Sequence, residues 1–410
     1  MSERSIYRAK TLVSMDGPPI DDGAVAIEGE KVVAAGRFSD VQTEGGRVHD
    51  LGEMVLLPGL INAHCHLDYT ALRGMIAPQR SFADWILQIN GLRRDLSDDD
   101  YLASIADGFE EAKRWGTTTL VNIESMPALL TRMAPPPLRT WWFAELIDVR
   151  PRLAAEEMIA ASLHFFFNNQ NWRGGFGLSP HAPYTASARL TLLAADASRE
   201  GDFLLSTHLA ESDEEMEMFR SGSGPLFALL QSLGRSMNDC GTGKTPLGVM
   251  LERTTIDERW IIVHLNELTE EDFGLLDAGP RFHIVHCPRS SRYFHHRSFA
   301  LERLVGMGFN VCLGTDSLAS NSSLSLFAEM RTVQEEHPEV SSEQILRMAT
   351  VNGGRALHQE HALGKIRAGY FADLIALPTA AGGDDVYSEI ISWPDSVPWM
   401  MLAGRVITPA

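Results

Sequence analysis

The sequence predicts an α/β protein, a (β/α)8 TIM-like barrel with a small β-sandwich domain formed from both chain ends. Three observations carry this expectation. From about residue 58, apolar strand-like runs alternate with longer amphipathic runs, the pattern of a parallel sheet covered by helices. Eight such strand runs occur, the number that closes a barrel. Both ends of the chain instead read as short strands joined by tight turns. The expected division is 1–57 for the N-terminal part of the sandwich, 58–360 for the barrel and 361–410 for the C-terminal part.

In chain order, Ala24-Val25-Ala26-Ile27 and Lys31-Val32-Val33-Ala34-Ala35 flank the turn Glu28-Gly29-Glu30, and Met54-Val55-Leu56-Leu57 follows. The first barrel strand leads into His64. An amphipathic helix from roughly Asp99 to Trp115 precedes the strand Gly116 to Asn122. Further strands are expected at Thr140–Ala144, Phe176–Ser179, Phe203–Thr207, Trp260–His264, Phe282–His286 and Asn310–Thr315. A helical run near Ser341 to Leu357 ends the barrel. The tail strands Ala372–Leu377 and Gly404–Ile407 are expected to pair with the N-terminal ones. Residues 221–255, rich in Gly and Ser, form an unusually long gap between two strands, suited to a lid or a partner surface.

Composition narrows the function classes. With 410 residues, 44% of them hydrophobic, the chain can bury a large core. Its net charge of −19 lacks the basic face that phosphate neutralisation requires, so no nucleic-acid partner is expected. No apolar stretch approaches the roughly 18 residues of a membrane helix. The segment Met1-Ser2-Glu3-Arg4-Ser5 has no apolar core behind it, so no signal peptide is expected. Four scattered cysteines without a CxxC pair fit a reducing compartment, and the cytoplasm is the expected location.

The chemistry lies at the strand ends, where barrel enzymes keep their sites. His64-Cys65-His66 places two imidazoles two residues apart on an extended segment, so both face one side while Cys65 faces away. The strand Leu204 to Thr207 runs into His208-Leu209-Ala210-Glu211, Ile261-Ile262-Val263 ends on His264, and Leu313-Gly314-Thr315 ends on Asp316. A lone histidine at a strand end is usually structural. Four such ends converging in one barrel are a site. Imidazoles with a carboxylate suit one divalent ion, Zn²⁺ first, with Fe²⁺ or Mn²⁺ also fitting the donor types. Such an ion lowers the pKa of its water to roughly 7, and Glu211 and Asp316 are placed to carry protons.

The run Leu56-Leu57-Pro58-Gly59-Leu60-Ile61-Asn62-Ala63-His64-Cys65-His66 resembles the opening motif of the amidohydrolase superfamily. The nearer likeness is to its branch of cytosine, guanine, S-adenosylhomocysteine and aminofutalosine deaminases and triazine chlorohydrolases. Leu72-Arg73-Gly74, Ser179-Pro180-His181-Ala182-Pro183-Tyr184, His208-Leu209-Ala210-Glu211, Leu313 through Asn321, and Ala362-Leu363-Gly364 through Ala372-Asp373-Leu374 support it. The resemblance implies metal ligation by His64, His66, His208 and Asp316. It implies a proton shuttle at Glu211, an orienting role for His264, and a proton acceptor at Asp316. His181 and Trp85 resemble substrate-contact positions. The strand-four end holds no lysine, which implies a single metal. A homodimer is implied by the resemblance alone.

One departure concerns the substrate. Where relatives carry an Asn-rich stretch, this chain reads His286-Cys287-Pro288-Arg289-Ser290-Ser291-Arg292, and Arg289 and Arg292 suit either an anionic substrate group or a surface ion pair. His295 and His296 read as loop residues. Gly241-Thr242-Gly243-Lys244-Thr245 is not a phosphate loop, because Asn238 stands where the earlier glycine is required. Trp141-Trp142 and Phe165-Phe166-Phe167 read as core or interface. The expected activity is hydrolytic deamination of an amino-substituted N-heterocycle or purine nucleoside derivative. Hydrolysis of a cyclic amide or amidine, or of a ring chloride, is the alternative, and a silent binding barrel the third reading.

Overall fold

The computed structural model describes residues 4–150, 153–169, 172–383 and 385–407. The middle of the chain forms one sheet whose strands follow chain order. Leu60–His66 is succeeded by Thr117–Glu124, Arg139–Leu146, Gly174–Pro180, Leu204–Leu209, Trp260–His264, His283–His286 and Asn310–Leu313, each beside the one before. Thr207 lies opposite Ile262 and Val285 opposite Cys312 in parallel registers. Strands such as Trp260–His264 are buried throughout, which is why they read as unbroken apolar runs rather than alternations.

The eighth strand breaks at Gly314-Thr315 and resumes as Asp316–Ser317, parallel to Cys65 and His66 of the first strand. The Gly314 amide donates to the His286 carbonyl at 3.0 Å and the Thr315 amide to the His64 carbonyl at 3.0 Å. One short segment thereby joins the seventh strand to the first and closes the (β/α)8 ring. A Cβ at Gly314 would lie 2.8 Å from Val285 Cγ1 and 2.9 Å from the His64 carbonyl oxygen. Overpacking of this seam makes Gly314→Ala destabilising by about 1–3 kcal/mol. The check is a lower denaturation midpoint at unchanged slope; an unchanged midpoint would mean that the seam has slack.

The chain divides into two compact units, residues 1–63, 109–120 and 324–410 in one, 64–108 and 121–323 in the other. The first carries an eight-stranded mixed sheet, counted over the described residues, made from both chain ends. Ser5–Leu12 pairs with Ile20–Glu28 and with Met54–Pro58. The tail strand Leu374–Pro378 runs antiparallel to Met54–Pro58, with Ile375 opposite Leu57. Leu12, Val25, Leu56, Leu374 and Met401 share one core, so residues from the two chain ends bury one another. Ser5–Leu12 and Trp399–Leu402 are strands that the sequence pattern does not single out.

In the second unit, residues 221–255 carry two helices, Pro225–Ser232 and Pro246–Arg253, each with proline in its first turn. Ser81 caps the helix Phe82–Arg94 by accepting from the Asp84 amide at 3.3 Å, and Ser212 caps Asp213–Ser221 through the Glu215 amide at 3.2 Å. Among the described residues no helix is long and apolar enough to cross a membrane.

Candidate active site

The strand Leu60–His66 sets His64 and His66 on one side, with ring centroids 4.9 Å apart. Cys65 faces away, its thiol 3.3 Å from the Val121 carbonyl. His208 is the penultimate residue of the fifth strand, and its Nδ1 lies 2.9 Å from the His181 carbonyl oxygen. A carbonyl only accepts, so that contact assigns the proton to Nδ1 and leaves Nε2 a bare lone pair. That Nε2 faces His64 Nε2 at 3.3 Å. Asp316 Oδ1 stands 3.7 Å from His64 Nε2 and 3.9 Å from His66 Nε2.

Opposite-sense backbone turns bring in the remaining groups. Ala210, His264, Leu265 and Asp316 have φ of 48°, 79°, 54° and 56°, a left-handed region that such side chains rarely adopt. The turns after strands five and six are bonded together, Leu265 amide to Leu209 carbonyl at 3.0 Å and Glu267 amide to Ala210 carbonyl at 2.9 Å. As a result Glu211 Oε1 approaches His264 Nε2 to 3.6 Å. The ligand atoms of Glu211, His264 and Asp316 fall within 4.8 Å of one another, as do those of His64, His66 and His208, and all six residues are buried. Asp316 Oδ2 accepts from the Ser290 hydroxyl at 2.6 Å and Oδ1 from the Ser317 amide at 2.8 Å.

Burial decides the charge states. It holds His66 and His264 well below the usual imidazole range, His208 down to about 3 and His181 down to about 4, so these rings are neutral. It also pushes the Glu211 carboxyl well above its usual range, reinforced by the charges of Asp316 and Glu215. Burial would raise Asp316 too, but its hydrogen bond to His64 and the imidazoles of His264, His64 and His66 around it hold it well below. The two carboxyls are thus driven apart, Glu211 towards the protonated form and Asp316 towards the ionised one, the division that acid and base roles need. Neutral imidazoles, one with its tautomer set by a backbone carbonyl, beside an ionised carboxylate, fit a divalent cation.

His66, His208, Glu211, His264 and Asp316 form the floor of a cavity of about 500 Å³. Its walls include Tyr69, Phe82, Trp85, Ile86, Leu229, Leu230 and Leu233. Trp85 lines it with its Nε1 donating to the Ala319 carbonyl at 3.5 Å, and His181 lines it with Nδ1 2.6 Å from Thr185 Oγ1. The arginines expected at the substrate are placed differently. Arg289 bonds to the Ser323 hydroxyl at 2.8 Å and also to the Ser322 hydroxyl, and Arg292 is exposed. Among the described residues the cations lining the cavity are Arg93, Arg94 and Arg150.

Two polar residues at the floor escape the motif reading. Glu145 is the penultimate residue of the third strand and comes within 3.9 Å of His181 Nε2. The strand-end rule that finds His208 and His264 also applies to it. Arg93 lies two helical turns beyond Trp85 on the helix Phe82–Arg94 and donates to the Ser125 hydroxyl at 2.7 Å. Spacing along that helix, Trp85, Ile89, Arg93, is the available signal. Burial pushes the neighbouring carboxyls Asp68 and Glu124 up to about 7 and about 8.

The sequence pattern of the amidohydrolase family fits residues 55–398. The chain belongs to the amidohydrolase family. It is therefore an enzyme of a family that acts on carbon–nitrogen bonds. Among curated relatives, this amidohydrolase is 28% identical over 365 residues to a 5-methylthioadenosine/S-adenosylhomocysteine deaminase of Pyrococcus abyssi, covering 86% of this chain and 80% of that one. It is 29% identical over 356 residues to an aminodeoxyfutalosine deaminase of Deinococcus radiodurans, covering 82% and 81%. Among solved structures, an adenosine deaminase from Xanthomonas campestris with bound zinc superposes with TM-score 0.82 at 23% identity, covering 98% of this chain and 92% of that one. Aminofutalosine deaminase of Helicobacter pylori, in complex with methylthio-coformycin, gives 0.81 at 21% identity over 98% and 100%. These likenesses support the barrel fold of the amidohydrolase.

Proposed function

We propose that this amidohydrolase is a metal-dependent hydrolytic deaminase of an adenosine derivative extended at its 5′ position. The observation that carries the reading is the buried donor set of three imidazoles and Asp316 facing the Glu211–His264 pair at 3.6 Å. His64, His66, His208 and Asp316 would hold the ion, and Zn²⁺ suits this set best. When bound, the ion supplies Lewis acidity and makes a water nucleophile available at neutral pH. His264 orients the incoming water, and Asp316 takes its proton. Protonated Glu211 delivers its proton to the ring nitrogen next to the attacked carbon, then takes the hydroxyl proton of the neutral adduct and passes it to the departing amine, so the carbonyl forms as ammonia leaves and the proton held by Asp316 returns to Glu211.

The apolar cavity walls favour a nucleoside with an apolar substituent over a bare base. Methylthioadenosine, in the name of the Pyrococcus relative, carries such a substituent. Trp85 gives the substrate an aromatic face and His181 a polar contact. The cysteines are free thiols, which supports a reducing compartment, the cytoplasm. The test is ammonia release from adenosine, methylthioadenosine, S-adenosylhomocysteine, aminodeoxyfutalosine, guanine, cytosine and aminotriazines by Zn-loaded protein. Release from the extended adenosines is expected. Silence across the panel with metal bound would overturn the deaminase reading in favour of cyclic amide or ring-chloride hydrolysis.

A further inference from the structure

The connection between the strands Leu204–Leu209 and Trp260–His264 is long for a barrel crossover, and part of it returns to the cavity. Helix Pro225–Ser232 presents Leu229 and Leu230 there, with Leu233 just beyond its end. These three pack in one apolar cluster with Phe82, Trp85 and Ile86.

A charged tie fastens this helix. Arg235 donates to the Tyr184 carbonyl at 2.7 Å and the Pro183 carbonyl at 3.1 Å. The same guanidinium forks onto Asp239, 2.8 Å to Oδ1 and 2.9 Å to Oδ2. Arg253, from the helix Pro246–Arg253, reaches Asp239 Oδ2 at 2.5 Å and the Ala186 carbonyl at 2.9 Å. The side chains of Arg235 and Arg253 are only 9% and 5% exposed. Burial acts to raise the Asp239 carboxyl, but the two arginines outweigh it and hold it below the usual range. Both arginines therefore bind one carboxylate and the turn after His181, whose Tyr184 and Thr185 also line the cavity. A doubly bridged carboxylate fixes geometry as well as charge.

Resting on the deaminase reading, we propose that Leu229, Leu230 and Leu233 form the wall that selects an apolar 5′ substituent, and that Asp239 is the residue positioning it. Asp239 touches no substrate. It acts by holding the helix at the distance where the leucines meet the substituent, so its loss should weaken binding of that substituent and leave the chemical step alone.

The experiment compares methylthioadenosine with adenosine, which lacks the apolar substituent. Asp239→Ala is expected to raise KM for methylthioadenosine about tenfold, with kcat and the adenosine KM within about twofold, the scale of a lost apolar contact. Asp239→Glu, which keeps the anion, is expected to recover much of the difference. Leu233→Ala should give the same selective loss with the tie intact, and it carries the test if Asp239→Ala does not fold. Equal losses on both nucleosides, or no change in either KM, overturn the proposal. Hydrogen exchange of residues 225–240 reads the tie without catalysis. Faster exchange in Asp239→Ala is expected, and unchanged exchange refutes the tie. Wild-type protein that holds metal but deaminates neither nucleoside refutes the deaminase reading instead.

Discussion

Exchange of Glu211 for Gln is expected to lower kcat by about 10²–10⁴-fold, the range of a lost general acid–base, while metal content stays at the wild-type level. The amide fills the same volume, and the geometry around it is held by contacts that the substitution leaves in place. The Glu211 amide still donates to Glu215 Oε2 at 2.8 Å, and its carbonyl still accepts from Asn266 at 3.2 Å. What disappears is a group that can give up a proton and take one back. Burial pushes the Glu211 carboxyl well above the usual range, which favours the protonated form that donation to a ring nitrogen requires. Ammonia release measured alongside metal analysis checks this. Unchanged turnover would remove Glu211 from the proton path, and joint loss of metal and turnover would make it a ligand instead.

Removal of the metal by a chelator is expected to reduce turnover to background, with recovery on adding back Zn²⁺, and Fe²⁺ and Mn²⁺ as comparisons. Without an ion, neutral His66 and His208 beside an ionised Asp316 offer lone pairs but no electrophile, so nothing lowers the cost of generating a nucleophile from water. The same treatment should lower thermal stability. An ion that binds only the folded protein contributes about 2.7 kcal/mol when present at a hundred times its Kd. The midpoint of thermal unfolding, with and without chelator, reads this independently of activity. Full turnover in metal-free protein would sink the assignment of His64, His66, His208 and Asp316 as ligands. Recovery with iron or manganese but not zinc would retain the ligands and revise the ion.

The barrel and the buried cluster of imidazoles and carboxylates at its strand ends were legible in the chain because both depend on local chemistry. A strand buried on both faces reads as an unbroken apolar run, as Trp260–His264 does. Two histidines separated by one residue on a strand must face the same way. A strand that ends on His208, His264 or Asp316 places it at the mouth without further help. Pairing of the two chain ends was likewise signalled by short strands at both, and Leu374–Pro378 against Met54–Pro58 realises it.

Contacts between residues far apart in sequence carry no such local mark. Arg289 and Arg292 sit near His286 in the chain, yet Arg289 is bonded to Ser322 and Ser323, while Arg93, Arg94 and Arg150 line the cavity. Glu145 and His181 meet across neighbouring strands at 3.9 Å. The Gly- and Ser-rich segment 221–255 resolves into two helices, of which the first lines the cavity, and Asp239 between them binds both Arg235 and Arg253. Periodicity and strand ends therefore sufficed for the fold and for the buried cluster of imidazoles and carboxylates, whose residues are placed by their own backbone. The shape of the substrate's surroundings was decided by long-range packing and charge pairing, which exist only once the chain has folded.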